Sequence, residues 1–357
     1  MNDLSRSSVF DSSSSSKAVA PTLIRTRIRK LRQTLDELWE FEAAIGRYTD
    51  WPQVAGPPGM PLFMFKVAAR LVRIFSIVLD AILRPLPFWR NRNYLCIGYI
   101  APHYLIYKAF PYFCLRARSR MVWMYDAWEN QLAEIERTFR THRINVAFVT
   151  SLQAAEYLNS RGIQRFAAYW VPEAVTVENY PSKPASERHI DVLQMGRRWD
   201  SYHDAIVEFC QGENLVYLYE KSPGQNIFRS REEFLDGLAS SKISVCVPSS
   251  ITHPARSGTI ETMTWRYLQS MAAKCLVIGR TPAEMKKLFD YEPIIEIDIS
   301  DPCGQLRHLL TDYSKYLPLI ERNFEFIQKH HQWPNRIQAI EQATQDFDAR
   351  ICRGGRQ

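Results

Sequence analysis

Residues 190–219 read IDVLQMGRRWDSYHDAIVEFCQGENLVYLY. An apolar run (190–195), a basic turn holding one glycine, an amphipathic stretch (202–210) and a second apolar run (215–219) follow in that order. Strand, helix and strand in close succession form a βαβ unit, and such units build parallel sheets. The pattern continues downstream, where apolar runs at 243–247, 275–278 and 294–297 alternate with helical stretches at 230–239, 261–273, 282–288 and 305–313. Upstream, runs at 94–99, 121–125, 146–150 and 166–171 are separated by helical stretches such as 127–140 and 152–161. A polar, proline-bearing link, PSKPASER at 181–188, divides the two series. The expected fold is α/β, with two Rossmann-like doubly wound parallel-sheet domains facing across a cleft. Ligands of such sheets sit beyond the carboxyl ends of the strands. The turns after Tyr125, Met195 and Val247 are therefore the places to look.

The first ninety residues read differently. A serine tract at 5–17 has almost no apolar content, so 1–22 is expected to be a disordered leader. Helical spacing at 24–47 puts Ile28, Leu31, Leu35, Leu38 and Phe41 on one stripe. Four prolines and two glycines at 51–61 break it. In the segment 63–89, Lys66, Arg70, Arg73, Asp80 and Arg84 share a narrow stripe, and nearly everything else is apolar. Such a helix either packs most of its circumference in protein or lies in a bilayer interface, basic stripe toward the headgroups. No stretch reaches the roughly 18 uncharged apolar residues of a spanning helix. No secretory pattern opens the chain. The expected location is cytoplasmic, with 63–89 as the candidate for peripheral contact with a membrane's inner face.

The chain has 357 residues, which suits two domains. An apolar fraction of 46% and a charged fraction of 23% exclude collagen-like, coiled-coil and wholly disordered classes. Lys and Arg number 45 against 38 Asp and Glu, a net charge of +7 that suits a polyanionic substrate, an acidic membrane or nucleic acid. The basic residues are not run together and no nucleic-acid motif accompanies them, so no nucleic-acid partner is expected. Seven cysteines (96, 114, 210, 246, 275, 303 and 352) stand singly, against a disulfide framework or a cysteine zinc site.

Two turns carry chemistry. Gly196 directly after a strand lets backbone approach a ligand, and Arg197 and Arg198 beside it can neutralise phosphate oxygens. The turn is neither GxGxxG nor a P-loop. The loop PSSITHPARSGTI at 248–260 places Arg256, Ser257, Gly258 and Thr259 ahead of a helix expected from about Glu261, an anion-binding arrangement. Glu261 and Gln269 stand eight apart, close to two turns, so one helix face would present both to hydroxyls. The plain alternatives are a solvated basic turn, an N-capped loop and a solvated helix face.

The stretch TWRYLQSMAAKCLVIG resembles the helix–strand signature of GT-B glycosyltransferases of the group-1 superfamily, especially their CgeB-like branch. The tail IERNFEFIQKHHQWPNRIQAI resembles that branch's closing motif of His, Trp and Arg, and VWMYDAWE and YWVPEAV resemble its N-domain strand and interdomain turn. The resemblance spans about residues 94–345. It implies a nucleotide-sugar donor and a glycan, lipid-linked or other acceptor, in metal-independent, retaining transfer. By position, Glu261 matches the first acid of the family's E-x7-E pair and Gln269 falls where the second acid grips ribose. Arg197 matches the phosphate-binding arginine, with Arg256 or Arg266 supplying further charge. Lys274 stands where the family often has glycine. Asp126 and His103 are candidates for the acceptor's base, against a helix-capping aspartate and a structural histidine. No metal or cofactor is expected: no HExxH is present, and His330 and His331, being adjacent, face different ways on a helix.

The expected organisation is leader 1–22, helical extension 23–90, acceptor-side domain 91–183, donor-side domain 184–335, and terminal helix and tail 336–357. The extension replaces the usual opening strand, leaving four strands in the first sheet. Two rival functions share these features, a nucleotide-sugar epimerase and a non-catalytic GT-B scaffold.

Overall fold

In the computed structural model, which describes residues 20–25, 36–55, 62–83, 92–98, 116–196, 198–221 and 226–354, the apolar runs become two parallel sheets. The first sheet uses β1 (Pro21–Arg25), β2 (Gln53–Ala55), β3 (Arg92–Gly98), β4 (Ala117–Met124), β5 (Val146–Val149) and β6 (Ala167–Trp170), in the order β2-β1-β3-β4-β5-β6. The second uses β7 (Ile190–Gln194), β8 (Tyr217–Tyr219), β9 (Ser241–Cys246), β10 (Leu276–Gly279) and β11 (Ile295–Glu296), in the order β11-β10-β9-β7-β8. Every pairing is parallel. Strand order reverses between β1 and β3 in one sheet and between β7 and β9 in the other. Those switch points are where doubly wound sheets open a crevice.

Ten longer helices are described: α1 (Asp36–Tyr48), α2 (Leu62–Leu83), α3 (Leu132–His142), α4 (Leu152–Ser160), α5 (Asp200–Gly212), α6 (Arg231–Ala239), α7 (Trp265–Ala272), α8 (Pro302–Thr311), α9 (Leu317–His330) and α10 (Trp333–Gly354). Alternation along each strand divides the core into layers. On β3, Tyr94 and Cys96 join α3 and α4, whereas Leu95 and Ile97 join α1 and α10. In the second sheet, Leu193 and Val277 face α7 and α9, whereas Val192 and Ile278 face α5 and α8.

The first sheet has six described strands, not four, and the helical extension is interrupted by two of them. Strand β1 lies between β2 and β3, and α1 begins only at Asp36. Leu23 and Ile24 are both fully buried, on opposite faces, so no polar alternation marks the strand. Ile24 also continues the helical spacing of Ile28 and Leu31, which hid it.

Helix α2 forms where the amphipathic segment was expected. Phe63, Met64, Val67, Leu71, Ile74, Phe75, Val78 and Ile82 are all exposed on it. At about 100° per residue they fall within one arc of about 120°. Lys66 and Arg70, also exposed, border that arc. Ala68, Ala69, Val72 and Leu79 are half-buried on the other side. No described helix is long and apolar enough to cross a membrane.

The domains are joined at a hinge where two strands of chain pass. The outgoing strand runs from β6 to β7. The returning one runs from α9 into α10, which packs back on α1 and the first sheet. Val175 bridges Gln332, with the Val175 N–H donating to His331 O at 3.1 Å. The buried Arg336 guanidinium knits both: Nε donates to Pro172 O at 2.7 Å, Nη2 to Glu173 O at 3.0 Å and Nη1 to His330 O at 3.1 Å. Burial lowers its pKa to about 10, and burial with the Arg336 charge holds His331 far below its ordinary value, hence neutral. His331 Nδ1 then accepts from Arg336 Nη2 at 2.6 Å. The His, Trp and Arg of the terminal motif are thus a hinge clamp. Replacing Arg336 by Leu strands three buried carbonyls, and urea unfolding should show a loss of roughly 3–5 kcal/mol.

Candidate functional site

The second sheet's switch point carries both turns singled out in the sequence. Gly196 follows β7 with φ +68°, and a Cβ there would collide with the Arg266 guanidinium. Only glycine combines that backbone with that approach. Arg266 comes from the first turn of α7, so the fold brings a bare backbone turn and a half-buried guanidinium together. Arg198 reaches Asp200 instead, Nε to Oδ1 at 2.8 Å, and is well exposed. Arg197 and His103 lie outside the described residues.

Beneath the turn, Gln194 is buried at the end of β7 and its Oε1 accepts from Tyr217 OH, which also meets His203 Nδ1 at 2.8 Å. Burial and the Arg198 charge lower the His203 pKa. This network supports the turn from below.

The loop after β9 forms two short helical turns, Ser249–Thr252 and Pro254–Ser257, and then runs extended to Thr264. The expected helix start near Glu261 is displaced. Helix α7 begins at Trp265, after Thr264 with φ −79° and ψ 160°. Glu261 therefore sits in the extended lead and Gln269 within the helix, so the two do not share a helix face. Threonines at 262 and 264, β-branched and weak in helices, favour the later start.

The same loop is stitched to the first domain. Thr259 donates from N at 2.6 Å and from Oγ1 at 2.8 Å to Glu129 Oε2, which keeps the Glu129 carboxyl below its usual range. Gly258 has φ +56°, and a Cβ there would strike the Glu129 carboxylate. Gln153 donates to Thr259 O and accepts from Glu261 N, each at 3.0 Å. The Arg256 guanidinium stacks 4.9 Å from the Trp128 ring. Ser257 is fully buried, its hydroxyl donating to His253 O at 2.8 Å. Asp126, half-buried, lies two and three residues before Trp128 and Glu129 on the loop after β4. The Glu261 carboxylate accepts from Ala283 N–H at 3.2 Å and is partly exposed.

Gln269 is buried, and its Nε2 donates to the hinge Tyr180 OH at 3.1 Å.

Glu284 is a residue that sequence reading missed. It is buried, with Oε1 accepting from Leu152 N–H at 2.6 Å and Oε2 from Met263 N–H at 3.4 Å. It therefore ties α4 of one domain to the loop of the other. Burial pushes its carboxyl up to about 7. Glu129, Gln153 and Glu284 are isolated polar residues whose partners are distant in sequence, and no spacing marks them.

No known family matches the sequence, and no curated protein resembles it in sequence. Solved structures do match. Sucrose-phosphate synthase (tll1590) from Thermosynechococcus elongatus aligns with a TM-score of 0.53 at 11% identity, over 93% of this chain and 99% of that one. Alr3699/HepE from Anabaena, in complex with UDP and glucose, aligns with a TM-score of 0.54 at 8% identity, over 91% of this chain and 99% of that one. The architecture is that of GT-B proteins.

The Glu284 carboxyl binds its proton more tightly folded than unfolded, so folding takes up a proton and stability falls as pH rises from about 4.5 to about 7. Melting temperatures across that window should decline in the parent chain and be flatter in Glu284→Gln. A second prediction concerns the turn. Gly196→Ala strains a left-handed backbone and displaces Arg266, and should cost roughly 1 kcal/mol or more in urea unfolding with the circular dichroism spectrum retained.

Proposed function

We propose that the chain is a glycosyltransferase that moves a hexosyl group from a nucleotide-sugar donor to a glycan or lipid-linked acceptor. The observation that carries this is the switch point of the second sheet, where the Gly196 turn lies open under the Arg266 guanidinium. A departing nucleoside diphosphate carries the negative charge of the reaction. A positioned arginine and free backbone N–H groups stabilise that charge without reorganisation. A diphosphate on the Gly196 turn would direct its sugar toward Glu261 and the seam with the first domain. Asp126, on the loop after β4, is the proposed acceptor base. The proposed transfer is metal-independent and retaining, as the resemblance of the Glu261 and Gln269 positions to the family's acid pair implies. A UDP-sugar is the first donor to test, because HepE, of the same architecture, was solved with UDP and glucose.

The exposed arc of α2 gives the reading its location. Eight exposed apolar side chains bordered by Lys66 and Arg70 match an anionic bilayer interface, apolar side down and cations at the headgroups. The proposed acceptor then arrives along the membrane. One observation favours the scaffold reading: the Gln269 amide is spent on Tyr180. A chain of that kind binds no nucleotide.

UDP, GDP, CDP, TDP and ADP should be screened by thermal shift. A ligand at 100 times its dissociation constant stabilises by about 2.7 kcal/mol, a shift of several degrees. A shift with one nucleotide is expected; none with any would leave the scaffold. With the donor known, Glu261→Ala and Arg266→Ala should each lower turnover roughly 10²–10³-fold. Full turnover in both would remove the site. The chain should float with vesicles of phosphatidylcholine and phosphatidylglycerol, and Leu71→Glu with Ile74→Glu should abolish flotation. Flotation unaffected by that pair, or a dimer that they dissolve, contradicts the membrane contact.

A further inference from the structure

A cavity of about 310 Å³ lies where α1, the hinge and the start of α6 meet. Its walls include Trp39, Glu40, Arg47, Tyr48, Asn179 and Arg231. None of these is among the donor-side residues above. Its volume lies at the small end of the roughly 300–1,000 Å³ of ligand sites, enough for one ring and too little for a nucleotide sugar.

An ion pair forms part of its wall. Glu40 is 92% buried, being 8% exposed. Its Oε1 accepts from Thr176 N–H and, at 3.1 Å, from Trp333 Nε1. Its Oε2 is buried and accepts no hydrogen bond among the described residues, although Arg231 Nη2 stands 3.5 Å away. Glu40 therefore serves to hold the Arg231 guanidinium at the cavity wall. Burial raises the Glu40 pKa. Trp39 and Tyr48 add flat apolar faces, and the Arg47 guanidinium lies 5.3 Å from the Tyr48 ring centre. An aromatic face for C–H groups beside an anchored guanidinium for hydroxyls is chemistry that grips a pyranose.

Its placement fits the acceptor side. Helix α1 belongs to the first domain, and Asn179 adjoins Tyr180, the hinge residue that takes the Gln269 amide. The cavity is therefore one side chain removed from the position expected to grip the donor's ribose. We propose that this cavity is a subsite for one sugar ring of the acceptor glycan, an inference that rests on the glycosyltransferase reading.

Saturation-transfer NMR on the full chain, with methyl glucoside, methyl N-acetylglucosaminide and methyl glucuronide as probes and UDP titrated separately, tests it. At least one glycoside should bind, and Trp39→Ala and Arg231→Gln should each weaken it about tenfold or more, the loss of one good contact. UDP affinity should stay within about twofold, which also shows that both variants remain folded. Glu40 is left intact because it also holds Thr176 and Trp333. UDP binding with no glycoside binding, or glycoside binding indifferent to both substitutions, overturns the subsite and leaves the donor site standing. Glycoside binding that depends on Trp39 without any UDP binding keeps a sugar site and overturns the transferase reading. Binding of neither overturns both.

Discussion

The buried guanidinium of Arg336 is the constraint on which the arrangement of the two sheets depends. Among the described residues no carboxylate neutralises it; its donors are used on carbonyls from both strands of the hinge and on His331 Nδ1. A cation this deep persists because its hydrogen bonds are met, and it leaves little freedom in how the hinge strands lie. Through Trp333, stacked 4.5 Å from Phe41 and bonded to Glu40, the same clamp sets α1 and α10 against the first sheet. The hinge thereby decides which edges of the two sheets face each other.

Across that cleft the contact combines a few polar bonds with one apolar plug, Ile260, buried in the first domain's apolar layer. Glu129, Gln153 and Glu284 reach backbone groups on the opposite domain, and Arg256 lies on Trp128. The polar bonds of the seam exchange for water more readily than the hydrophobic layers within each sheet. This division suits a protein whose substrates must enter between domains. The apolar material left over is concentrated on α2, the described helix that packs least against the sheets.

Much of the fold was legible because buried parallel strands are near-continuous apolar runs, and those from 92 onward were visible as such. Strand β1 was not, since Leu23 and Ile24 are buried on both faces and Ile24 fits a helical stripe. Strand β2, at Gln53–Ala55, is three residues long and carries no pattern. At the site, Gly196 was legible from its place after a strand, and Arg266 from its charge in the resembling helix. Their contact was not, because it joins positions 70 residues apart whose meeting depends on the register of α7 over β7. Glu284 was invisible for a similar reason: a lone acid in a turn gains meaning only from the backbone N–H groups of Leu152 and Met263. The terminal His, Trp and Arg were noticed as a motif, and the structure supplies the role.

The central claim is that the donor's diphosphate sits on the switch point of the second sheet. Hydrogen–deuterium exchange with and without the nucleoside diphosphate that stabilises the chain tests it most directly. Slowed exchange confined to residues 195–202 and 248–269 is the predicted result. Protection elsewhere, with those two segments unchanged, would contradict the account.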